Sequence, residues 1–216
     1  MVLSVHKIVP GLAGLTFLWF FSQQASAEES PEIMLEQAAE QMLAELREHD
    51  SELRSSPEQL HTLVEEVLVP HVDLEVVSRW VLGKYWRTAS PDQRTRFARE
   101  FKGMLIRFYS SALLEYADFR FRFHTPRIKK DARRVLVRSE VMRSGGAPHS
   151  VNYSLIRRNG VWKVYDVTID GVSVVTTYRS SFAEEIRRGG LDGLLKKMAD
   201  WNRRDAPSSE DKKEGG

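Results

Sequence analysis

One change of period constrains this chain more than any motif. Up to Tyr116 its apolar residues recur every three or four positions, whereas Phe119-Arg120-Phe121-Arg122-Phe123 alternates at every second one. The first spacing is one face of an α-helix, and the second is one face of a half-buried strand. The chain must therefore lay down helices first and strands afterwards.

The helical part divides at its start signals. Ser30-Pro31 opens a segment in which Leu35, Ala38, Met42 and Leu46 share a face. Ser56-Pro57-Glu58-Gln59 opens the next, with Ser56 as N-cap, Pro57 at the first helical position and Gln59 able to close a capping box. Its stripe is Leu60, Leu63, Val64, Val67 and Leu68, and Pro70 ends it. A third helix is expected from near Asp73 to Trp86. Ser90-Pro91-Asp92-Gln93 repeats the start signal before a long fourth helix, which carries Phe97, Phe101, Met104, Leu105, Phe108, Ala112 and Tyr116 on one broad face.

In the second half, Val135, Val137 and Val141 fall on one side of a strand, and Val151, Tyr153 and Leu155 on one side of the next. Arg143 to Pro148 supplies the turn between them, and Asn159-Gly160 is a two-residue hairpin signal. The run after Asp170-Gly171 should continue the valine face through Val172, Val174 and Val175. Helical spacing returns with Tyr178, Phe182 and Ile186, and again beyond Gly189-Gly190 with Leu191, Leu194, Leu195, Met198 and Trp201. The pattern predicts one α+β domain, a curved antiparallel sheet of about four strands wrapped by helices.

The ends read differently. Residues 1–27 have a basic start at Lys7, an apolar run from Ile8 to Phe21, and Ala25-Ser26-Ala27 as a cleavage site. Those are the three regions of a secretory signal, and the run is short for a membrane span; a retained anchor is the alternative. The expected organisation is therefore a signal peptide over 1–27, a domain over 28–202 starting at Glu28, and a polar, disordered tail over 203–216. The formal net charge of +2 falls to +1 without Lys7, which argues against nucleic acid as a partner. The chain has no cysteine, so disulfides, thiolate metal sites and cysteine nucleophiles are excluded. Export without disulfides fits a periplasmic protein.

Catalytic motifs are sparse. His49, His61, His71, His124 and His149 are scattered without a ligand spacing, so no metal is expected. Gly171-Val172-Ser173 resembles half a nucleophile elbow, but Val175 stands where glycine is required. Asp166 and Asp170 lie four apart on one strand, and a carboxylate in an apolar pocket could act as a general base. Turn chemistry already explains Asp170. The basic run Arg127 to Arg134 reads as a solvated loop, or as a contact for anionic headgroups or an acidic partner.

Two stretches carry a resemblance. Val81-Leu82-Gly83-Lys84-Tyr85-Trp86, followed by the Ser90-Pro91-Asp92-Gln93-Arg94 helix start, is the first; Asp170-Gly171-Val172-Ser173 through Tyr178-Arg179-Ser180-x-Phe182 is the second. With these the chain resembles the toluene-tolerance (MlaC) family of the lipid-asymmetry pathway, from the first helix to Met198. The resemblance implies a fold related to nuclear-transport-factor-2-like proteins, with an apolar cavity between helices and sheet. It also implies a non-enzymatic role: a periplasmic, monomeric carrier with a glycerophospholipid as cargo and no cofactor. The implied partners are an outer-membrane lipoprotein–porin complex and an inner-membrane ABC transporter with an MCE-domain subunit.

Cavity walls follow faces. Those expected are Leu105, Phe108, Tyr109 and Leu113 from the fourth helix; Val135, Val137, Val151, Tyr153, Val164 and Val167 from the sheet; and Val172, Val174 and Tyr178 beyond it. The competing readings are a small-molecule-binding protein or enzyme on a related fold with Asp166 as base, and a module whose exposed groove takes a helix.

Overall fold

The computed structural model describes residues 30–115, 118–142 and 147–204. The signal segment with its end at Glu28, Tyr116, part of the Arg143–Pro148 turn and the tail beyond Arg204 lie outside the described residues; Arg203 and Arg204 are still helical.

Helices come first, at their start signals. α1 (Pro31–Glu48) and α3 (Pro57–Val67) begin on proline, and the Ser56 hydroxyl accepts from the Gln59 N–H at 3.4 Å. The reciprocal capping box is complete at α6 (Pro91–Glu115). There Gln93 N–H donates to Ser90 Oγ at 3.1 Å, and Ser90 N–H donates to Gln93 Oε1 at 3.0 Å. Between α1 and α3 lies an unforeseen short helix, α2 (Asp50–Ser55). Its one buried residue is Leu53, and Arg54 bridges Asp50 to the Leu114 carbonyl. A 3-10 turn, Val69–His71, follows α3.

The third expected helix is shorter than its apolar spacing suggested. α4 (Leu74–Leu82) stops at Gly83, whose φ of 54° is open to glycine, and α5 (Tyr85–Thr88) is a separate turn. The Arg179 guanidinium lies 3.0 Å from where a Cβ at Gly83 would stand, so this glycine also permits a close approach.

The strands β1 (Arg120–His124), β2 (Arg134–Met142), β3 (His149–Arg158), β4 (Val161–Ile169) and β5 (Val172–Ser173) pair antiparallel in sequence order. The count is five because Asp170-Gly171, with φ of 47° and 86°, makes a second two-residue hairpin like Asn159-Gly160. β5 is only two residues long. Val174 and Val175 do not continue the sheet face as expected but open α7 (Val174–Arg204), because Ser173 caps that helix: its hydroxyl accepts from the Thr176 N–H at 3.0 Å. Gly190, at φ 70° and ψ 174°, breaks α7 into two helical stretches.

Register settles which side chains share a face. Val135 pairs Leu155, Val137 pairs Tyr153 and Ser139 pairs Val151; across β3–β4, Tyr153 pairs Val167 and Leu155 pairs Val164. Val164 and Val167 are three apart and would face opposite ways in a regular strand. The ladder slips by one between Ser154 and Leu155, so Tyr165 is an extra residue and both valines turn inward. Beside the bulge, Val72 bridges Val164 and the Asp73 N–H donates to the Val164 carbonyl at 2.9 Å, covering part of the β4 edge.

The interior is not continuous. One cluster joins α4, α6 and α7 around Phe97, Phe101, Phe182 and Leu195; a second joins α1, α2, α3 and α6 around Leu46, Leu60 and Ile106; a third joins the start of α1 to the sheet through Met34, Leu35, Val137 and Leu155.

Candidate functional site

A domain of this size usually has one contiguous core with small satellites. Here the described residues form three clusters, and the partly buried apolar residues at their margins are informative. Leu105 and Tyr178 flank the first, Leu113 the second, and Val135, Tyr153 and Val167 the third. These six were picked from the sequence as walls. Val137 and Val164 sit deeper, buried beneath α1. Val151 and Val174 are half-buried, while Val172 stands at the turn with 62% exposure.

The long helix α6 supplies an aromatic series that changes character along its length. Phe97 and Phe101 stack at 5.5 Å and both meet Phe182 edge-on, at 5.9 and 5.7 Å. Tyr178, one turn before Phe182, sets its ring 5.1 Å from Phe101 and hydrogen-bonds Tyr109. Tyr109 in turn meets Phe108 edge-on at 4.9 Å. The two ends of this series could hardly differ more: Phe101 is 1% exposed, Tyr109 37% and Phe108 59%.

Both of these half-buried phenols, Tyr153 and Tyr178, stay neutral well beyond physiological pH. Burial pushes Tyr153 up to about 12, partly opposed by its hydrogen bond with Ser139, whose own hydroxyl donates to the Val151 carbonyl at 2.7 Å. Burial also raises Tyr178, and the Tyr109 hydrogen bond adds to it. Half-buried apolar side chains edged by neutral hydroxyls suit a ligand that is greasy at one end and polar at the other.

Asp166 does something else. Ser173 Oγ donates to its Oδ2 at 2.7 Å and the Val175 N–H donates to its Oδ1 at 3.1 Å, so both carboxylate oxygens tie β4 to the start of α7. The Ser173 of the elbow-like tripeptide is consumed in the same arrangement. Asp170 accepts from the Ser150 N–H at 2.9 Å and pairs with His149, which holds its carboxyl below the usual range. No group of three metal-capable side chains occurs among the described residues.

Sequence reasoning passed over Phe123, whose ring lies 5.9 Å from Tyr153, and Met104 and Tyr165 at the first cluster's margin. The alternation of β1 already marked Phe123 as inward; Tyr165 carried no such signal, because a bulge placed it. A cleft of about 880 Å³ between α1 and β1 is edged by Glu36, Glu40, Arg47, Asp118 and Arg120, a lining too charged for hydrocarbon.

Comparison with known proteins places this geometry. The chain is 28% identical over 190 residues to the intermembrane phospholipid transport system binding protein MlaC of Haemophilus influenzae, covering 85% of this chain and 89% of that protein. It is 30% identical over 188 residues to the toluene tolerance protein ttg2D of Pseudomonas putida, covering 87% and 86%. A phospholipid-binding protein from Ralstonia solanacearum, solved in complex with a phospholipid, superposes with a TM-score of 0.74 at 29% identity, over 82% of this chain and 98% of that one. The sequence model described as MlaC protein matches residues 36–200. The chain belongs to the MlaC family.

Proposed function

We propose that this protein is a periplasmic carrier that holds a glycerophospholipid by its acyl chains, between the three clusters, with the headgroup in water. The observation that supports this most is the divided interior: six of the residues chosen as cavity walls (Leu105, Leu113, Val135, Tyr153, Val167 and Tyr178) sit at the margins of separate clusters instead of at the centre of one. In this reading Leu105, Phe108, Tyr109, Leu113 and Tyr178 form the helical wall. Val135, Val151, Tyr153 and Val167 form the sheet wall, Val137 and Val164 back it from beneath α1, and Val172 and Val174 lie at its end.

The energetics set a demand on such a site. Each methylene leaving water is worth about 0.8 kcal/mol, so two ordinary chains carry roughly 20–25 kcal/mol of gross burial. A carrier must reproduce nearly all of it, or the lipid stays in the bilayer. A wall of valine, leucine and neutral aromatics meets that demand; a buried charge would not. The role is transport without catalysis, which agrees with Asp166 being occupied as a brace. By kinship the carrier would exchange cargo between an outer-membrane lipoprotein–porin complex and an inner-membrane ABC transporter, and so maintain outer-membrane asymmetry. No helix of the described residues is long and apolar enough to cross a membrane.

The test is direct. Mature protein is extracted with organic solvent and the extract weighed by mass spectrometry. Near-stoichiometric phospholipid is expected. A clean extract, with no lipid acquired from liposomes afterwards, would overturn the reading.

A further inference from the structure

The segment between β1 and β2, residues 125–133, is exposed at every position except Pro126 and Ala132, which are half-buried. It holds Arg127, Lys129, Lys130 and Arg133 against the single carboxylate of Asp131. Beside it is a cleft of about 540 Å³ whose lining includes His124, Arg127, Lys129, Arg134 and Arg138 and no carboxylate.

Neighbouring cations are accounted for within the fold. Arg122 and His124 share Glu140, at 3.5 and 3.7 Å, and the Arg134 guanidinium lies over the rings of Trp80 and Tyr165, at 5.7 and 5.9 Å. Among the described residues no ion pair engages Arg127, Lys129, Lys130, Arg133 or Arg138. Two apolar side chains stand among these free charges: Ile128, 41% exposed in the middle of the loop, and Leu136, 45% exposed on β2 between Arg134 and Arg138.

Charge alone would fit any anionic surface, but the exposed isoleucine narrows the choice. A bilayer interface offers an anionic plane and, just beneath it, an apolar boundary; long cationic side chains can reach the first while their stems and an apolar tip enter the second. The net charge of +2 is too small for a general field to do this, so the attraction must be local. We propose that the 125–133 loop, with the adjoining outer side of β2, is a docking surface for an anionic phospholipid bilayer. This goes beyond the carrier reading and does not depend on it.

The experiment is sedimentation of the mature protein with vesicles of phosphatidylcholine alone or mixed with phosphatidylglycerol, at low and high salt. Binding is expected only to the mixed vesicles, and it should weaken as salt rises. The variant Arg127→Gln/Lys129→Gln/Lys130→Gln/Arg133→Gln should bind about 1,000-fold more weakly, on the usual contribution per charge near an anionic surface. Ile128→Ser should cost roughly three- to tenfold with every charge retained. All five side chains are exposed, and unchanged melting curves establish that the variants fold. Lipid carried by the unsedimented protein is measured separately. Sedimentation without carried lipid would sink the carrier and keep the docking surface; carried lipid without sedimentation would do the reverse. Equal binding to both vesicle types, or a quadruple variant that binds as before, would overturn the proposal. So would capture by soluble polyglutamate, lost in the variant, with no vesicle binding; that result assigns the loop to an acidic protein.

Discussion

The two halves of α6 use the same residues for opposite ends. In the first, Phe97 and Phe101 are spaced one turn apart, fully buried, and locked against Phe182 of α7. In the second, Phe108 and Tyr109 keep aromatic side chains at the surface of the same helix, although Ile106 before them and Ser110 after them are buried. Helical periodicity records that a face is apolar but not whether protein covers it. The first half is finished by the fold, whereas the second is left for something else to finish.

The largest expected effect tests that contrast head on. Phe101→Ala should lose about 3–5 kcal/mol of stability through the cavity it leaves. The melting temperature should fall on the order of 10 °C for a domain of this size. Phe108→Ala should change stability by no more than about 0.5 kcal/mol, as exposed positions do, yet lower the phospholipid recovered from the purified protein. If both variants melt alike, the halves are not different and the contrast is broken.

A smaller effect sharpens it from the side. Asp166→Ala removes the acceptor for Ser173 Oγ and the Val175 N–H and should cost about 1–3 kcal/mol. Its lipid content should be unchanged, because the brace lies outside the proposed wall. Loss of lipid at wild-type stability would move Asp166 into the site.

The smallest effect is read in alkaline titration by tyrosine absorbance. Tyr153, raised to about 12, and Tyr178, also raised, should both ionise above the ordinary phenol value of about 10. Because the folded values exceed the unfolded ones, their contribution to stability is intact below about pH 10 and is lost as pH climbs from there towards 12. Ionisation of both at the ordinary phenol value of about 10 would mean that this part of the interior is wet.

What could be read from the sequence was local. Ser90 and Gln93 cap a helix by themselves, Asn159-Gly160 turns a hairpin by itself, and β1 alternates visibly, so helix starts and strand order were legible. Gly83 was not, because the apolar spacing runs unbroken through it to Trp86 while the helix stops there. α2 was missed since six residues with one buried leucine have no period. For the site, the inward faces of β2 and β3 were legible from alternation; the separation of the core into three clusters was not, as it depends on which distant faces meet.

A strand can be treated as a message read two residues at a time, and β4 is written with a frameshift at Tyr165. Upstream of it, Trp162 and Val164 are in frame with the inner face; downstream, Val167 returns to that frame only because one residue is skipped. Deleting Tyr165 would restore a regular ladder and leave the frame intact, with Val164 opposite Leu155, Asp166 opposite Ser154 and Val167 opposite Tyr153. One residue inserted between Asp166 and Val167 in a strand so shortened would, by contrast, put every position beyond it out of frame and turn Val167 to water. The extra residue is punctuation, not text: it lends Tyr165 to the cluster of α4, α6 and α7 while the strand on either side reads the same.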